Sequence, residues 1–378
     1  MTAVAGTSAD AVPAIGTIAP KRAVPWVRIA FGIVVTVVAI ALPYQYSPET
    51  NQVFSKVLYL AIAAMGLNLL TGFNGQVSIG HGAFFGVGAF ASGILVVQHG
   101  WTYEATIPVA AVLSAGLGVL VGIPALRVKG LYLALVTLGL AVLFPDVVQK
   151  YVHGPGGIPL LRPSFVQTSS LIEAIPDDIY RYYVCLLAVV ILFLLAHNLM
   201  RSRAGRAIIA VRDQEVAAST VGVDVAKVKV LTFALSAGYA GIAGSLSVLI
   251  DRSADASNPL IYFQRSIEFL IAVVIGGAAT ITGPLLGAIL LVAIQKKTED
   301  TEALAPALLG GALIIVVYVL PEGVVGGYRR VAAFVQGRWA ARGGAPPSVA
   351  STAPDPVETP ETPEPPEPPA STIQGDPS

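Results

Sequence analysis

Ten apolar runs dominate this chain, near residues 26–43, 53–72, 79–98, 105–126, 130–149, 182–200, 226–250, 266–280, 283–295 and 304–320. About twenty apolar residues carry a helix across the hydrocarbon of a bilayer. Lipid offers no hydrogen bonds, so each segment must satisfy its own backbone, which selects helices. The expected fold is therefore all-α and polytopic, with about ten transmembrane or broken-membrane helices. Only 12% of residues are charged, about half the share in soluble domains. The runs 266–280 and 283–295 are short and divided by Thr282-Gly283-Pro284, so they read as two spans or one broken span, nine or ten crossings in all.

Basic residues set the orientation. Ten crossings with both termini cytoplasmic place Lys21, Arg22 and Arg28, then Arg127 and Lys129, on one side. The stretch from Arg201 to Lys229 and the four arginines 329, 330, 338 and 342 join them, 15 of the 23 Lys and Arg. The expected division is a disordered lead-in (1–25), a transmembrane domain (26–328), a basic juxtamembrane segment (329–343) and a Pro/Glu-rich disordered tail (344–378), too polar to bury a core. Net charge is zero, which gives no support for nucleic-acid binding. The outer loop 151–178 holds His153-Gly154-Pro155-Gly156-Gly157, a turn composition.

One cytoplasmic connection is longer than linking requires. Arg201–Asp224 places Ala204, Ala207, Ile208, Val211, Ala218 and Val221 at three- and four-residue spacing, the mark of one amphipathic helix. Arg212 and Glu215 are close enough to pair, and Gly222 ends the pattern. Such a helix either lies on the headgroups, with Arg203, Arg206 and Arg212 toward anionic lipid, or docks a cytoplasmic partner. In a docking helix the apolar face, Ala207, Ile208, Val211 and Ala218, would fill the partner's groove.

Gly75, Gly82 and Gly86 match Gly276, Gly283 and Gly287 spacing for spacing, an internal repeat. Glycines four apart let helices approach closely, and glycine-broken segments in corresponding halves point to a transport pathway. Polar residues within spans are costly and therefore candidates: Asn68, Asn74, Gln76, Ser78 and His81, with Gly277 and Thr137 beside them. For His81 a helix-to-helix hydrogen bond is the stronger expectation. No phosphate-binding loop of the G-x-x-x-x-G-K-[ST] type occurs. The four histidines have no metal-ligand spacing, the single Cys185 makes no disulfide, and no catalytic triad is suggested.

The ordered blocks GLNLLTGFNGQVSIGHGAFFGVGAF (66–90), GIPALRVKGLYLALVTLG (122–139), HGPGGI (153–158), GRAIIAVRDQEVAASTVGV (205–223), FALSAGYAGIAGSL (233–246), IGGAATITGPLLGA (275–288) and PEGVVG (321–326) resemble the LivM-type permease subunits of branched-chain amino acid ABC importers. The resemblance implies a non-catalytic transport subunit of the bacterial plasma membrane. Two cytoplasmic ATP-binding subunits, which hold the ATP and Mg, would be its partners. So would a second, LivH-like permease and an extracytoplasmic substrate-binding protein or lipoprotein; this chain would bind lipid but no cofactor. It also implies an ATPase-coupling segment carrying Arg203, Gly205, Arg206, Ala207, Arg212, Asp213, Glu215 and Gly222. The substrate pathway would then run past Gly75–Phe90 and Gly276–Gly287. A urea or amide permease of the same superfamily and an ion-driven secondary transporter are the other readings.

Overall fold

The computed structural model describes residues 37–125, 131–151, 157–158, 176–256, 258–298, 310–311, 314 and 323–327. The segments 1–25, 329–343 and 344–378 lie outside the described residues, as do most of the runs 26–43 and 304–320. The helices are α1 (Pro48–Leu67), running on through a π-helical turn (Asn68–Phe73), α2 (His81–His99), α3 (Tyr103–Ala125), α4 (Leu131–Tyr151) and α5 (Asp177–Arg201). After these come α6 (Arg203–Asp213), α7 (Glu215–Thr220), α8 (Val225–Asp251), α9 (Ile261–Gly276) and α10 (Gly283–Thr298). A two-residue antiparallel bridge pairs β1 (Gly157–Ile158) with β2 (Ala254–Asp255). Among the described residues six helices are long and apolar enough to cross a membrane: α1 with its π-turn, α2, α3, α4, α5 and α8. They coincide with the second to seventh apolar runs.

The uncertain pair resolves into two helices. α9 and α10 have 16 residues each, about 24 Å at 1.5 Å per residue, less than a full hydrocarbon core. They form an antiparallel hairpin. A Cβ on Gly287 would strike the Ala272 carbonyl, and at the far end the Gln295 amide donates to Glu268 at 3.0 Å. The turn between them uses positive φ at Gly277 (112°) and Ala279 (56°), which explains why the apolar pattern breaks there.

α8 is the central helix, buried along most of its length, whereas α5 and α3 are largely exposed along their spans. Its small residues explain this. A Cβ on Gly88 of α2 would meet the backbone of Gly241, and one on Gly244 the Phe85 carbonyl. In lipid no hydrophobic effect drives helices together, so such backbone approach supplies the packing. α3, α4 and α5 turn Val112, Leu120, Leu135, Leu143, Leu187 and Leu194 outward.

Candidate functional site

The connection between α5 and α8 is folded against the bundle. Ser202 begins it, its hydroxyl accepting the Gly205 N–H at 3.3 Å, a regular N-cap. The helix expected from Arg201 to Asp224 is in fact two. α6 stops at Asp213, Gln214 is extended (φ −157°, ψ 102°) and α7 begins at Glu215. Gly222 then turns the chain with φ +87°, as expected, and Asp224 caps α8 by accepting the Lys227 N–H at 3.0 Å. Nor do Arg212 and Glu215 pair as expected. Arg212 is ion-paired to Asp213 at 2.9 Å, and Glu215 to Lys229 of α8 at 2.5 Å. Holding Glu215 against α8 turns the chain where a straight helix would lead it away.

The amphipathic face also points the other way. Ile208, Val211 and Ala218 are 5%, 2% and 3% exposed, covered by this chain itself, and Ala207 is half-buried. Gly205 is buried, and a side chain there would strike the backbone of Leu199 and Met200. The outward surface carries Arg203, Arg206, Arg212 and Asp213 and two bare apolar side chains, Val216 and Val221, 73% and 78% exposed. Of the stripe expected from periodicity, Ile208, Val211 and Ala218 are buried but Ala204 and Val221 are exposed, and periodicity could not say which surface the stripe meets.

Arg212 also ties the segment to the bundle core. Arg212 Nη1 donates to the Gly72 carbonyl at 3.2 Å, in the π-turn of α1. Its methylenes lie on Gly75, where a Cβ would come within 2.9 Å of Arg212 Cγ. Gly75 also has φ +74°, so glycine is required there on two counts. The neighbouring Gln76 amide donates to the Lys229 carbonyl at 3.4 Å. The π-turn and the loop 74–80 thus rest on both α6 and α8.

Beyond this junction the polar candidates gather in one buried region. His81, fully buried, has Ser78 Oγ at 3.2 Å on Nδ1 and Ser236 Oγ at 2.6 Å on Nε2, and Ser236 donates in turn to the Gly66 carbonyl at 2.5 Å. The histidine thus joins α2 to α8 and α1. Thr137 Oγ1 accepts the Ile79 N–H at 3.1 Å, tying α4 to the same loop. Asn68 donates to the Thr280 carbonyl at 2.8 Å and accepts the Ala279 N–H at 2.9 Å, fastening the π-turn to the α9–α10 turn. Asn74 differs from these. It is 3% exposed, and neither atom of its amide has a hydrogen-bond partner among the described residues.

The glycine repeat is visible in space. Each triplet flanks a break, loop 74–80 or turn 277–282, followed by a helix beginning at or next to its second glycine. The match is offset at the first position, since the left-handed residues are Gly75 and Gly277, whereas Gly276 is still helical. Gly82 and Gly86 press on Tyr262 of α9, and Gly276 on Gly283. Two serines completing these contacts, Ser236 and Ser266, were not singled out from the sequence. Ser266 Oγ accepts the Gly82 N–H at 2.7 Å and donates to the Tyr262 carbonyl at 2.8 Å. A serine bonded to its own helix is common in apolar segments and gives no distinguishing signal.

Comparison with known proteins agrees with this architecture. The family described as "Branched-chain amino acid transport system / permease component" matches residues 50–318. The high-affinity branched-chain amino acid transport system permease protein LivM of Escherichia coli (strain K12) is 30% identical over 321 residues, 78% of this chain and 74% of its own length. LivM of Salmonella typhimurium is 29% identical over the same shares. LivH of Escherichia coli (strain K12) is 26% identical over 286 residues, 70% of this chain and 91% of its own. No solved structure matches the chain. A match across most of the membrane-spanning helices, together with identity of this extent to LivM, shows that the chain belongs to the branched-chain amino acid transport permease family, whose members are membrane-embedded, non-catalytic transport subunits.

Proposed function

We propose that this chain carries branched-chain or closely related amino acids across a bacterial plasma membrane as one permease of an ABC importer. ATP and Mg would be held by two separate cytoplasmic subunits docked on residues 203–222. A LivH-like permease would complete the membrane unit, and an extracytoplasmic binding protein would deliver substrate. About ten crossings with both termini inside fit the charge distribution; among the described residues six helices are long and apolar enough to cross. The family match supports the substrate class.

The observation that carries the coupling assignment is the two-sided construction of α6 and α7. Their inner face is fixed, through Arg212 to the π-turn of α1 and through Glu215 to α8. Their outer face leaves Val216 and Val221 bare and carries the exposed Arg203, Arg206, Arg212 and Asp213 of α6. A segment that transmits force needs both. Exposed apolar side chains within a charged rim are what a partner's groove recognises. In this reading Asn74, unpaired behind the junction, is the pathway candidate freest to meet a second chain or the substrate. Asn68, Gln76, Ser78, His81 and Thr137 hold the helices that move, and Gly82, Gly86, Gly276, Gly277 and Gly283 are the contacts along which they slide.

The test is co-purification with the ATPase subunits and amino-acid-stimulated ATP hydrolysis in proteoliposomes. Val216→Asp with Val221→Asp should insert normally, lose the ATPase, and lose uptake and hydrolysis together. A helix that merely anchors on lipid headgroups would keep the ATPase bound, and that result would sink the assignment.

A further inference from the structure

At the opposite end of the bundle from α6 and α7 lies a cavity of about 390 Å³ lined by Glu49, Asp178, Arg181, Asp251 and Arg252, among others. Its size falls within the range of small-molecule sites, about 300–1,000 Å³. α5 begins here and α8 ends here, while their other ends hold the coupling segment. Their 25 and 27 residues separate the two sites by roughly 37–40 Å, a membrane's thickness.

Arg181 marks this cavity as more than a solvated helix end. The residue is 6% exposed, yet its Nε and Nη2 are buried with no hydrogen-bond partner among the described residues. Asp177, one turn earlier, stands 3.7 Å from Nη2, an ion pair too long for a hydrogen bond. Asp178 is already engaged by the Asn51 amide at 2.8 Å. A buried guanidinium with idle donors is costly unless something accepts from it, and the group it fits best is a carboxylate, held bidentately.

The cavity offers the complementary charge across from it. Asp251, the last residue of α8, is fixed by the Tyr59 hydroxyl, which donates to Oδ2 at 3.1 Å. The helix ends reinforce the polarity. α1 and α5 present their positive N-termini and α8 its negative C-terminus, favouring an anion near Arg181 and a cation near Asp251. Asp251 also lines a second, smaller cavity of about 70 Å³ with Phe85, Ala89 and Tyr262. Phe85 and Ala89 belong to α2, and Tyr262 is the residue on which Gly82 and Gly86 close.

We propose that this cavity is an outer binding site for the zwitterion of an α-amino acid, with Arg181 taking the carboxylate and Asp251 the ammonium. The assignment rests on the transport reading above and adds to it a site on the permease itself. Asp251 stands between the outer cavity and the glycine-backed contacts of α2 and α9, so an amino acid held there is at the entrance to the pathway.

The experiment uses the assembled transporter in detergent, without binding protein, and radiolabelled leucine. Leucinamide, which lacks the carboxylate, and 4-methylpentanoate, which lacks the ammonium, serve as competitors. The wild-type complex should bind leucine at least tenfold more tightly than either. Arg181→Gln should abolish the preference over leucinamide while keeping that over 4-methylpentanoate, and Asp251→Asn should do the reverse. Arg181→Lys, which keeps the charge, should restore part of the preference and serves if the glutamine variant does not assemble. A merely structural arginine would weaken all three ligands equally, and that result, or unchanged leucine binding in Arg181→Gln, overturns the site. Failure of the intact system to take up leucine in vesicles would instead overturn the transport reading, and the site with it.

Discussion

Gly82→Ala is the smallest change that tests how α2 is seated on α9. A Cβ at Gly82 would land on the Tyr262 carbonyl and within 2.7 Å of Ser266 Oγ, the atom that accepts the Gly82 N–H. Neither neighbour is the free end of a flexible chain, so the helices must separate. Overpacking of this kind costs about 1–3 kcal/mol, and weakening the Ser266 bond adds roughly 1 kcal/mol. The better helix propensity of alanine returns about 1 kcal/mol. The net loss is about 1–3 kcal/mol. Gly139→Ala in α4 is the matched control, because a Cβ there meets nothing within 4 Å and should stabilise by about 0.4–1 kcal/mol. The two variants then differ by about 1.4–4 kcal/mol. Each kcal/mol moves the melting midpoint of a mid-sized domain by about 2–4 °C, so thermal melts of the purified complex should separate them by several degrees, Gly82→Ala lower. Equal midpoints, or a higher one for Gly82→Ala, would refute the close seating of α2 on α9. By the same geometry leucine at Gly82 disrupts the fold outright, so lost uptake in that variant would say nothing about a pathway.

Asn68→Leu keeps the side-chain volume but strands the Ala279 N–H and the Thr280 carbonyl. At about 1–3 kcal/mol for each buried unsatisfied group, the melt should fall by at least as much as for Gly82→Ala, and an unchanged melt would show that the clamp is not made. Ala279→Gly should be neutral or stabilising, because relieving a left-handed alanine gains about 1–2 kcal/mol against a smaller entropic loss; a marked drop in melting temperature contradicts the turn geometry. Lys229→Met removes one partner of Glu215, from a pair only 13% and 37% exposed. After solvent screening the expected loss is about 1 kcal/mol or less, with a larger fall in stimulated ATP hydrolysis than in stability; normal coupling in this variant would show that α7 need not be fixed to α8.

The membrane class, the positions of the six long helices and the family were legible in the sequence because lipid imposes length and apolarity on a span, and those survive in one dimension. The run 226–250 became Val225–Asp251 and the run 182–200 became Asp177–Arg201, with differences only at helix ends, where polar residues extend a helix beyond the hydrocarbon. Glycine spacing likewise marks the two helix breaks. What only tertiary structure decided is which surface each residue meets. Ile208, Val211 and Ala218 have the periodicity of a docking face, yet burial against this chain assigns them inward and leaves Val216 and Val221 outside. Helical period fixes relative angle, not the direction of the core. Asp251 and Arg181 sit near span ends, where charge is ordinary, and their sequence positions carry no sign that α1, α5 and α8 bring them to one cavity. That meeting depends on contacts 70 and more residues apart, which no local pattern encodes.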